Sequence, residues 1–218
     1  EDYSLGEALD YLNDLAATYL PAEAVISYKG PSLDYQDSGS SMNFVFLLAL
    51  GIVFLVLAAQ FESFIHPMVI MLTVPLATLG ALVGLWLTGQ SLNIYSQIGI
   101  IMLIGLAAKN GILIVEFSNQ LRDRGVEFQQ AILQASTQRL RPILMTGITT
   151  AAGAIPLVMA SGAGAETRFV IGVVVLSGIL LATFFTLIVI PVAYSLFARN
   201  SSSPEAVAKQ LEIELQDD

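Results

Sequence analysis

Apolar residues fall along the chain in long runs separated by short polar or charged breaks. A hydrocarbon core of ~30 Å needs ~20 apolar residues of helix. Five runs meet that requirement, at 43–60, 67–88, 97–119, 142–160 and 169–197. They predict an all-α polytopic membrane protein whose two ends lie on opposite sides of the bilayer. Residues 1–42 carry a different pattern. Leu5, Leu9, Leu12, Leu15 and Ala16 recur at helical spacing, and Ala24-Val25-Ile26-Ser27-Tyr28 after Pro21 is an expected strand. A helix and one strand cannot close a core, so 1–42 is expected to be the α+β end of a larger extracytoplasmic domain. The membrane domain then covers 43–198. Residues 199–218, serine-rich and then acidic, read as a disordered cytoplasmic tail with at most a short helix around 204–215. The chain begins at Glu1 and has no positively charged leader ahead of an apolar run. It is therefore expected to be a piece of a longer protein.

Composition agrees with lipid as the main solvent. The 218 residues are 55% hydrophobic and 12% charged, whereas soluble domains are roughly a quarter charged. Cysteine is absent, which removes disulfide scaffolds, thiol nucleophiles and cysteine-based zinc sites. The net charge of −9 sits at the ends: residues 1–42 hold eight acids against Lys29, and 198–218 hold five against Arg199 and Lys209. The middle, 43–197, has six bases and five acids, so no basic surface is available for a nucleic acid backbone. Arginine placement sets the orientation. Arg122, Arg124, Arg139 and Arg141 crowd the segment 120–141, which with the tail is expected inside, leaving the N-terminus outside. No HExxH, GxSxG or GxxxxGK[ST] motif occurs and no Asp lies within a run. Enzyme readings, including a membrane aspartyl protease, therefore find no support, and neither a catalytic residue, a metal site nor a bound cofactor is expected.

Lys109 stands out against this background. It lies 12 positions from Gln97 and 10 from Asn119, hence near the bilayer midplane. An ammonium there costs ~2.5–3.5 kcal/mol on insertion scales, and the headgroups, ~15 Å away, are beyond the reach of a snorkelling side chain. Lys109 is therefore expected to face the bundle interior and meet an anion or a wet cavity. Glu62, Glu116 and Glu166 sit at run ends, so that anion is expected outside these 218 residues. Arg139 and Thr146, seven apart, share a helix face, with Thr149 and Thr150 near it. Arg139 and Arg141 also fit simple anchoring at an inner helix entry. Thr146 is either a member of a polar network or a hydroxyl bonded to its own helix backbone. Asn110 neighbours Lys109, and Gly105, Gly111 and the Gly80-x-x-x-Gly84 pair suit close helix approach. His66, before Pro67, reads as an interface residue and not a metal ligand. Pro75, Pro156 and Pro191 interrupt runs without an assigned function.

The run Gly105-Leu106-Ala107-Ala108-Lys109-Asn110-Gly111-Ile112-Leu113-Ile114-Val115-Glu116-Phe117, followed by Arg139-Leu140-Arg141-Pro142-Ile143-Leu144-Met145-Thr146, resembles the resistance-nodulation-division (RND) efflux pumps. The multidrug, hydrophobe/amphiphile, AcrB-like branch is the best match. Agreement extends to Gln60-Phe61-Glu62-Ser63, Val74-Pro75-Leu76, Pro156-Leu157-Val158 and Ser161-Gly162-Ala163-Gly164, and covers nearly the whole chain.

The resemblance implies the last five helices of a twelve-helix inner-membrane pump, with 1–42 ending its second large periplasmic domain. It implies proton-driven export of amphiphilic small molecules. Lys109 would pair with a membrane aspartate pair carried by the rest of the pump, Arg139 would be the arginine of the proton relay, Thr146 its hydroxyl, and Asn110 would stand with them. It further implies a homotrimer, a periplasmic adaptor and an outer-membrane channel. Heavy-metal members of the family place an acidic residue where this chain has Ala107 and Ala108, which speaks against metal export. Two alternatives stay open: a separately encoded five-span interaction subunit, and a protein-export accessory of the same superfamily.

Overall fold

The computed structural model describes residues 5–21 and 24–198. Seven helices follow in order: α1 (Leu5–Tyr19), α2 (Pro31–Phe61), α3 (Ile65–Met71), α4 (Thr73–Leu87), α5 (Ile94–Asp123), α6 (Phe128–Val158) and α7 (Ala165–Phe197). With α3 and α4 counted together, five helical segments are long and apolar enough to cross a membrane. The all-α polytopic expectation holds. The expected tail helix around 204–215 lies outside the described residues.

Helix ends depart from the apolar runs in ways that have local causes. α2 starts at Pro31, where Gly30 at φ 63° admits the turn and the proline ring presets the first helical φ. It therefore passes through 42–43 without a break. The second run is interrupted at Leu72, because Pro75 has no N–H to donate to the Met71 carbonyl four residues back. Between α5 and α6 only four residues, 124–127, are non-helical, so the expected loop 120–141 is mostly helix. Its buried side chains, Leu121, Ala131 and Ala135 with Phe117 and Val126, form a small apolar cluster that extends both helices beyond their apolar runs. The capping box at Asn93 and Ser96 starts α5 three residues before its run.

The strand expected at Ala24–Tyr28 is not formed, and no strand occurs among the described residues. A single extended segment has no neighbouring edge in this chain to pair with. It runs back along α1 instead, where the Tyr28 hydroxyl donates to Asn13 Oδ1. α1 itself forms where the leucine spacing placed it, with Leu9 buried and Leu12 exposed.

α7 occupies the centre of the bundle and packs against α4, α5 and α6. Gly80 and Gly84 of α4 lie on its surface: a Cβ at Gly80 would come within 2.7 Å of Leu181 Cβ, and one at Gly84 within 2.5 Å of Ser177 Cβ. This is small-residue packing as the spacing predicted. Gly111 of α5 meets Ile70 and Thr73 in the same manner, whereas Gly105 on α5 and Gly153 on α6 face open space.

Candidate functional site

Three helices converge on one point midway through the bundle. Asn110 of α5, buried, donates from Nδ2 to Thr183 Oγ1 of α7 at 3.3 Å. Gly147 of α6 lies directly against the same threonine, because a Cβ there would stand 2.9 Å from Thr183 Oγ1. The glycine thus admits the threonine that holds the asparagine. Beside this junction is a cleft of about 10 Å3, lined by Leu106, Lys109, Asn110, Thr146, Gly147, Thr150 and Ile179. That is the room of about one water molecule.

Lys109 lies 15 residues after Ile94 and 14 before Asp123, at the middle of the 30-residue α5. It does not point into this bundle as the midplane argument expected: it is exposed, while its neighbours Ala107, Ala108 and Asn110 are buried. The inner face of α5 is already occupied by Leu103, Ala107, Asn110, Gly111 and Ile114, and a residue one position from Asn110 is turned ~100° away. Among the described residues Lys109 takes part in no ion pair. A lysine at this depth against lipid carries the insertion cost given above, so the surface around it requires covering by further protein or by a wet cavity. Gly105 and Gly153, both on this open surface, leave space for an approaching backbone.

Thr146 lines the cleft, and its hydroxyl donates to the Ile143 carbonyl at 3.2 Å. Thr149 and Thr150 likewise donate to carbonyls of their own helix. Thr146 thus bonds its own helix backbone and also lines the cleft. Arg139 is set apart. Its guanidinium lies over the Phe117 ring, 4.4 Å from the centroid, and its Nε is buried without a hydrogen-bond partner among the described residues. Two turns of α6 separate it from Thr146, ~10 Å along the axis. The fold therefore brings Lys109, Asn110 and Thr146 together and places Arg139 nearer one membrane face. Arg141 is exposed, as an anchor would be.

The sequence matches the AcrB/AcrD/AcrF family over residues 1–198. The chain belongs to this family. It is also 45% identical over 202 residues to an uncharacterised transporter of Haemophilus influenzae. That alignment covers 89% of this chain and 20% of the relative, so the chain spans about a fifth of the length of the curated protein it matches. This AcrB-family chain is thus part of a multi-pass membrane protein.

A second polar cluster went unnoticed in the sequence. Near the Asp123 end of α5, Tyr194 of α7 donates its hydroxyl to Asn119 Oδ1 at 2.5 Å and accepts from Arg122 Nη1 at 3.0 Å. Its ring stacks on Phe128 and on His66, and His66 in turn contacts Phe61. His66 is accordingly buried and not at an interface with solvent or headgroups, because the rings of Phe61 and Tyr194 close over it. Asn119 and Arg122 stood at a run boundary, where polar residues are ordinary, and only their phase on the buried face of α5 distinguished them. Tyr194→Phe keeps the stacking and removes two hydrogen bonds, one to a cation. We expect a stability loss of about 1–3 kcal/mol, read as a fall of a few degrees in the thermal unfolding of the detergent-solubilised full-length protein. An unchanged midpoint would show that the hydroxyl contributes nothing net.

Proposed function

We propose that this chain is the Lys109-bearing half of the membrane domain of a proton-driven exporter of amphiphilic small molecules, a drug/proton antiporter of the bacterial inner membrane. The observation that carries the reading is Lys109 itself: mid-helix, exposed, without an ion-pair partner among the described residues, and next to a cleft lined by Asn110, Thr146 and Thr150. The partner would be the membrane aspartate pair of the remaining part of the pump. Protonating those aspartates removes the anion opposite Lys109, the ammonium reorients, and α5 moves relative to its new neighbour. Asn110 holds α5 on α7 through Thr183, so a displacement of α5 is passed to the central helix. Thr146 supplies an oxygen beside the ammonium, and Arg139 a second cation toward the inner face. The Arg122, Arg124, Arg139 and Arg141 cluster supports an inward orientation for that end.

An apolar groove between α2 and α4 supports amphiphilic substrates. It is an open groove of about 600 Å3 lined by Phe46, Leu50, Met71, Val74, Pro75, Thr78 and Leu79, apolar in character as a surface for amphiphiles would be. The homotrimer, the periplasmic adaptor and the outer-membrane channel belong to the same proposal. The test is a gradient experiment on the full-length protein in proteoliposomes, with ethidium as the transported probe. A transmembrane pH difference should drive accumulation of the dye, and a protonophore should stop it. Accumulation that persists after the gradient is collapsed would overturn the proton-driven reading.

A further inference from the structure

On the open face of α5 the residues in angular register with Lys109 are Tyr95, Ile98, Met102 and Gly105 toward the Ile94 end, and Leu113, Glu116, Gln120 and Asp123 toward the Asp123 end. At 3.6 residues per turn, all eight fall within about 40° of Lys109 around the helix. Beyond Leu113 the stripe is polar, and Glu116 is its first polar member on that side.

Glu116 is the unusual member. The apolar run placed it at a span end, but α5 continues seven residues beyond it to Asp123. Glu116 lies about 10 Å along the axis from Lys109, within the ~15 Å half-thickness of the hydrocarbon core. A half-buried carboxylate at that depth has to face water, carry a proton or meet a cation. Gln120 Nε2 donates to Glu116 Oε1 at 3.1 Å, which fixes the orientation of the carboxylate. Across the seam between α5 and α6, the Arg139 guanidinium stacks on Phe117, the residue next to Glu116, and so sits at nearly the same depth. Glu116 is thus a hydrogen-bonded carboxylate inside the span, in register with Lys109 and on its Asp123 side.

We infer that Glu116 is the proton acceptor on the exit side of Lys109, an inference that rests on the proton-antiport reading above. The proton leaves the carboxylic acid opposite Lys109, which becomes the carboxylate that re-pairs with the ammonium. It passes through water to Glu116, whose carboxylate becomes a carboxylic acid. Glu116 then releases it to water at the Asp123 end, and the carboxylate is restored. Gln120 positions the acceptor without exchanging protons.

The experiment uses everted membrane vesicles containing the full-length protein. Proton release from the lumen is followed with a quenched acridine dye after addition of ethidium, over a range of external pH. Glu116→Gln should cut ethidium-induced proton release by about tenfold or more and flatten its dependence on external pH. Glu116→Asp should restore a large part of both. A wild-type rate and pH profile in Glu116→Gln would overturn the inference, as would equal losses in the Gln and Asp variants with an unaltered profile. Lys109→Met run in parallel separates the two readings: if it abolishes release while Glu116→Gln does not, only the role of Glu116 falls. If Lys109→Met leaves release intact, the antiport reading falls and this inference with it.

Discussion

Lys109→Met in the full-length protein will reduce export to background while leaving membrane insertion at the wild-type level. Insertion is spared because the substitution removes an ammonium that costs ~2.5–3.5 kcal/mol at the midplane and replaces it with an apolar side chain of similar length. The site around it is also spared, since Lys109 is exposed and the Asn110–Thr183 bond and the Gly147 contact do not involve it. Function fails for a different reason. Removing one member of a buried ion pair costs about 3–5 kcal/mol, and at 1.36 kcal/mol per decade this shifts the paired and unpaired conformers by roughly a hundredfold or more. A membrane carboxylate left without its cation would stay protonated through the cycle, and the gradient would no longer be coupled to helix movement. The measurement is ethidium efflux from energised cells against the quantity of protein in the membrane fraction. Wild-type efflux at wild-type abundance would remove Lys109 from the mechanism.

The sequence carried the membrane architecture because lipid imposes a length and a polarity on each crossing, and both are visible in one dimension. It did not carry the helix ends. The extension of α6 back to Phe128 depends on Ala131 and Ala135 burying against Phe117 and Leu121, a contact that no run length reports. The expected strand at Ala24–Tyr28 had strand-like residues and no partner, and pairing, not propensity, decides strand formation. At the site, depth was legible and direction was not. Lys109 could be placed at the midplane from counting, yet its side of α5 followed from which residues α4 and α7 bury. Arg139 and Thr146 do share a face of α6, but two helical turns put them in different surroundings: an aromatic ring for one and a polar cleft for the other. The Tyr194 cluster brings together residues from α2, α3, α5, α6 and α7, which only the folded chain assembles.

Gly84→Leu should prevent the membrane domain from assembling. A Cβ alone at this position would lie 2.1 Å from Ser177 Oγ and 2.5 Å from Ser177 Cβ. The oxygen is held by its hydrogen bond to the Val173 carbonyl at 2.7 Å, and the Cβ is fixed to the α7 backbone. The oxygen can rotate away at the loss of that bond, but the Cβ cannot yield without moving α7. One turn earlier, a Cβ at Gly80 would stand 2.9 Å from the Ser177 carbonyl oxygen and 3.1 Å from Gly178 Cα, so there the two helices meet backbone against backbone. Overpacking in an ordinary core costs about 1–3 kcal/mol because side chains rearrange. Here the helix itself has to shift, and α7 also carries Thr183, Tyr194 and the contacts to α5 and α6. The penalty should exceed that range and compare with a whole domain's stability of about 5–15 kcal/mol. Size-exclusion profiles of the solubilised full-length protein would show the effect, with a monodisperse peak for the wild type and aggregation or loss for Gly84→Leu. A monodisperse Gly84→Leu protein with wild-type thermal stability would mean that α4 and α7 are not held at this distance by their glycines.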